Sequence, residues 1–165
     1  MLTCHELMGF MSPALSQEIL EATFNSDKQL YRSLLISVAE ARKVRPAFYE
    51  RKARQDRHPE MALTLSRPWS EEAAGNLLRG WLLKSQTAII TEFLDALGIA
   101  HEKGVVKEFP ESVEDSKLAA AVDMLLSKHP KETVAVYLHT IASTSVPNWK
   151  NLEKLLQDDP RLQLG

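Results

Sequence analysis

The sequence predicts an all-α protein: a compact, orthogonal or irregular bundle of about six or seven helices, with room for one small hairpin near residues 99–106. Three observations point there. Apolar residues recur at helical spacing along most of the chain. Sustained period-two alternation is almost absent. Pro, Ser, Asp and Gly punctuate the chain at helix-length intervals. With 165 residues, one hydrophobic core can bury enough surface without disulfide or metal staples. A single domain over 1–165 is therefore expected, with a looser division near Pro59 to Trp69 as second choice.

The elements follow in order. Ser12-Pro13 suits a helix start, since Ser caps free amides and Pro tolerates the first position. Leu15, Ile19, Leu20 and Phe24 then share a side. Ser26-Asp27-Lys28-Gln29 reads as a capping box with Ser26 as the cap. Leu30, Tyr31, Leu34, Leu35, Val38 and Ala41 follow it, and the helix is expected to stop near Lys43 or Val44, ahead of Pro46. Pro46 to His58 reads as one short basic helix ending before Pro59. The alternation Met61, Leu63, Leu65 fits either an extended segment or a helix fragment.

Trp69 to Leu97 is expected to be one long helix, with Glu71 and Glu72 at its positive end and Gly98 as a left-handed stop. Gly80 and Gly75 weaken it, or admit a close neighbour. Val105 and Val106 beyond Gly104 pair with Ile99 and Ala100 in the hairpin reading. Ser112 to Asp115 resembles a capped start for the helix carrying Leu118, Ala121, Val122 and Leu125. Pro130 ends that helix and opens the next, whose inward face is Val134, Tyr137, Leu138 and Ile141, with His139 off that face. Pro147 is expected to begin a last helix with Trp149, Leu152, Leu155 and Leu156 inward.

Several function classes lose support. The composition, 44% hydrophobic and 25% charged, excludes wholesale disorder. No segment has the ~18 uncharged apolar residues of a membrane span, and the N-terminus lacks the cationic start of a secretory signal. One cysteine, Cys4, fits a reducing compartment, so a cytoplasmic location is expected. Cys4, His5 and Glu6 are consecutive, but adjacent side chains diverge, and no histidine pair has zinc spacing; no metal and no cofactor is expected. There is no nucleophile elbow and no phosphate-cradling glycine loop.

Charge is the most informative feature. The chain as a whole carries −2, yet residues 42–57 carry seven basic side chains against Glu50 and Asp56. Arg42, Arg45, Arg51, Lys52, Arg54 and Arg57 are the candidate partner- or anion-binding residues, with Arg51, Arg54 and Arg57 on one helical side. Of the three tryptophans, Trp81 and Trp149 fall on apolar stripes. Trp69, after Pro68 at a helix start, is the candidate interface aromatic.

The expected function is that of a non-catalytic helical interaction protein, adaptor, regulator or assembly unit, binding a protein partner or itself. The first alternative is a small nucleic-acid-binding protein using the basic segment 42–57, with salt-sensitive backbone contacts. The second is an enzyme with a site near the 98–110 loop, where His101 and Glu102 are available for proton transfer.

Overall fold

Helices account for the secondary structure of the chain in a computed structural model that describes residues 1–110, 113–145 and 148–165. The described residues form ten α-helices and two short 3-10 turns, more than the six or seven expected. The extra elements come from two splits and from one seven-residue helix near the N-terminus that was not expected. The chain divides into two compact units, one of residues 3–81 with Gly165 and one of residues 82–164 with residues 1–2. The division falls inside a helix, and Pro59 to Trp69 lies wholly within the first unit.

In the unit of residues 3–81, α1 (Cys4–Phe10) packs on α5 (Arg54–Leu65), which also meets α2 (Pro13–Ser26) and α3 (Lys28–Ala41). α1 is held by a carboxylate from far along the chain. The N–H groups of Cys4 and His5 donate to Glu71 at 2.9 and 2.8 Å, satisfying amides that a helix start leaves open. Burial alone pushes Glu71 up, but these two N–H donors and the His5 ring outweigh it and hold its carboxyl below the usual range. The consecutive Cys4, His5 and Glu6 are thus a helix start. Among the described residues no group of three or more His, Cys, Asp or Glu side chains is disposed to hold a metal.

Asp27, not Ser26, caps α3. Its carboxylate accepts from the Leu30 N–H at 3.2 Å, while the Ser26 hydroxyl donates back to Ala22 at 2.6 Å as the last residue of α2. α3 stops where Lys43 turns left-handed (φ 57°), and the Val44 N–H closes on the Ala39 carbonyl at 3.0 Å.

The basic stretch is two helices, not one. α4 (Pro46–Glu50) ends first, and α5 runs through Pro59 to Leu65. Pro59 removes the N–H that the Gln55 carbonyl would take, but both residues are exposed, so water can serve that carbonyl and the helix continues. The expected stop before Pro59 failed for that reason. The 61–65 segment is accordingly helix, with Met61 and Leu65 inward and Leu63 outward at 52% exposure.

The expected long helix is also divided. Trp69 sits in a 3-10 turn (Pro68–Ser70), α6 spans Glu71–Ser85 and α7 spans Thr87–Leu97. At the break Gln86 leaves helical geometry (φ −121°, ψ 32°), and the Thr87 hydroxyl donates to the Leu83 carbonyl at 2.8 Å. Gly80 does admit a neighbour, since a Cβ there would lie 2.7 Å from Leu30 of α3.

In the unit of residues 82–164, Gly98 ends α7 in the left-handed conformation, as expected. The hairpin shrinks to one isolated bridge, in which Glu102 and Val105 exchange backbone bonds of 2.9 and 3.0 Å. Lys103 and Gly104 turn between them at φ 52° and 88°, the left-handed pair that two-residue hairpin turns need. α8 (Asp115–Lys128) packs on α7, and Ser112, the expected cap, lies outside the described residues.

α9 (Lys131–Thr144) is buried at every position from Thr133 to Ala142. It is a central helix with no outer face, so His139 is inside despite lying off the predicted stripe. Its ring accepts from the Leu2 N–H at Nδ1 (3.1 Å) and donates from Nε2 to the Leu162 carbonyl (3.0 Å). α10 (Lys150–Asp158) buries Leu152 and Leu156 behind the fully buried Trp149; Pro147 lies outside the described residues. A short 3-10 turn, Pro160–Leu162, follows. No helix among the described residues is long and apolar enough to cross a membrane.

Candidate protein-docking face

The six basic candidates do not act as a group. Arg57 is buried and turned inward. Its guanidinium donates to the carbonyls of Glu50 (3.2 Å) and Lys52 (2.9 Å), closing the end of α4, and to the Tyr31 hydroxyl (2.9 Å). Arg54 pairs with Glu21 at 3.0 Å and covers the Phe24 ring at 4.2 Å. Lys52 pairs with Glu60 at 2.9 Å and lies over Phe48 at 4.7 Å. Arg51 falls between α4 and α5, so it does not share a helical side with Arg54 and Arg57. Arg42, Arg45 and Arg51 stay exposed, and their side chains have no ion-pair partner among the described residues.

Arg42 and Trp69, distant in sequence, come together. Both line a small hollow of about 80 Å³ with Leu63, Thr64 and Arg67. Trp69 is 71% exposed, although its turn is rigidly fixed. The Ser70 hydroxyl donates to the Thr64 carbonyl at 3.0 Å, and the Ser70 N–H donates to the Arg67 carbonyl at 2.9 Å. The indole therefore stands out from a fixed backbone while Ser70 beside it is buried. On its other side lies an open groove of about 570 Å³ containing Glu40, Glu72 and Asn76.

Leu63, Arg67, Glu40 and Glu72 were not among the sequence candidates. Leu63 was legible once 61–65 is taken as helix: with Met61 and Leu65 one turn apart and inward, the residue between must face water. Glu72 follows Trp69 by three residues, whereas Glu40 carried no local signal, because only folding brings the end of α3 to the groove beside Trp69.

The 98–110 loop borders a hollow of about 550 Å³ with an apolar wall that includes Leu97, Ile99, Phe109 and Pro110. Neither His101 nor Glu102 lines it. His101 donates to Asp95 at 2.7 Å and accepts from the Gly104 N–H at 3.1 Å, which fixes its ring against the turn.

No family model, curated protein or solved structure matches the chain.

Proposed function

We propose that the protein is a non-catalytic helical interaction protein whose contact surface is the Trp69 face of the unit of residues 3–81. One observation carries this reading: an indole 71% exposed on a turn pinned by Ser70, with Leu63 beside it at 52% exposure. Large aromatic and apolar side chains left in water cost solvation free energy that a partner surface recovers, and Trp and Arg dominate the energetics of protein contacts. A fixed turn also lowers the ordering cost of binding. The basic segment enters through Arg42 alone. Arg54, Arg57 and Lys52 are engaged within the chain, which takes support from the nucleic-acid alternative.

Site-specific photo-crosslinking tests the reading. A benzophenone side chain placed at position 73, in the groove beside Trp69, is expected to give discrete protein adducts in cells. Those adducts should vanish in a Trp69→Ala background and be missing when the probe sits at the exposed position 55. Adducts that persist without Trp69, or none at position 73, contradict it.

A further inference from the structure

The Trp69 face divides into halves of opposite charge. The small hollow and the larger groove share Ala41 and Trp69, so these two residues form the ridge between them. Arg42 and Arg67 line only the first side; Glu40 and Glu72 line only the second. All four charged side chains are exposed, and none is in an ion pair among the described residues. The charges on either side of the indole are thus left unneutralised by the fold.

Such a surface is complementary to itself. A two-fold axis lying in the interface plane and parallel to the ridge sets the cationic half of one copy over the acidic half of another, twice over. A uniformly acidic partner meets repulsion from Glu40 and Glu72, and a uniformly basic one from Arg42 and Arg67. We propose that the occupant of the Trp69 face is a second copy of this chain, in an isologous pair where Arg42 and Arg67 of each copy face Glu40 and Glu72 of the other. The two ridges, each carrying Trp69, then meet along that axis. This assignment rests on the docking face argued above and names its partner.

Charge exchange with light scattering tests it. The wild-type chain is expected at twice its 18.6 kDa mass at the highest soluble concentration. Arg42→Glu with Arg67→Glu makes both halves acidic, and Glu40→Lys with Glu72→Lys makes both halves basic. Each double variant alone should keep its helical circular dichroism and run as a monomer. An equimolar mixture should return to the doubled mass. A monomeric wild type, a double variant that still dimerises, or a mixture that stays monomeric overturns the second-copy assignment. Trp69-dependent adducts to a chain of different mass at position 73 also overturn it, while leaving the docking face itself standing.

Discussion

The phenolic oxygen of Tyr31 lies 2.8 Å from Nε2 of His58, with both side chains buried. Arg57 donates to the same oxygen, and Nδ1 of His58 lies 3.7 Å from the Glu21 carboxylate. Burial, stronger than the opposing pull of Glu21, pushes the His58 pKa down to about 4. The native ring stays neutral where an unfolded one, near the usual 6.5, takes a proton. Stability from this group is therefore complete above about pH 6.5 and is lost as pH falls toward 4. His139, also lowered chiefly by burial, acts in the same direction. Lowering pH from 7 to 5 should reduce the unfolding free energy by about 2 kcal/mol through His58. Urea titrations at the two pH values, repeated with His58→Gln, check this; an undiminished slope in the variant contradicts it.

Arg57 and Arg51 should differ sharply. Arg57→Met removes donors from two carbonyls and one hydroxyl in a buried setting, a loss of about 3 kcal/mol. Arg51→Met, at an exposed position, should stay within about 0.5 kcal/mol of wild type. Denaturant midpoints of the two variants decide; equal effects would remove Arg57 from its structural role.

Lys43 holds a left-handed conformation that costs a residue with a Cβ about 1 kcal/mol. Lys43→Gly is expected to stabilise the chain by a similar amount, since the turn needs the backbone angle and not the side chain. Thermal melts check the direction, and a lowered Tm contradicts it.

The Tyr137 hydroxyl is buried and has no hydrogen-bond partner among the described residues. Its ring stacks edge-on to Phe93 at 5.6 Å, a contact that phenylalanine keeps. Burial pushes its pKa well above the ordinary tyrosine value. Tyr137→Phe should therefore leave stability unchanged or raise it by up to about 1 kcal/mol. A loss larger than that, read by urea unfolding, would mean the hydroxyl is satisfied.

The helical class, the stop at Gly98, the Pro130 junction, the buried Trp81 and the exposed Trp69 were all legible in the residues. Each depends on local chemistry or on a single amphipathic stripe. α1 was missed although Thr3-Cys4-His5-Glu6 has capping-box spacing, with the Thr3 N–H donating to Glu6 at 2.8 Å; Glu6 reads as a break in an apolar run when it is a cap, and the Cys4 and His5 N–H groups are held by Glu71, which sequence spacing does not reveal. Pro59 misled for a similar reason: whether a proline breaks a helix depends on whether the carbonyl it strands can reach water. The basic run was visible as composition. Its division into inward Arg57, paired Arg54 and open Arg42 was not, because carboxylates and carbonyls brought in by folding decide which cation stays free.

The indole N–H spectrum of ¹⁵N-labelled protein tests the proposed docking face most directly, since each tryptophan gives its own signal. It can be recorded over a rising concentration series and then against unlabelled cell extract. The Trp69 signal is expected to shift or broaden with the protein's own concentration, while Trp81 and Trp149, both buried, hold their positions. A Trp69 signal unmoved in both series contradicts the Trp69 face as a contact surface.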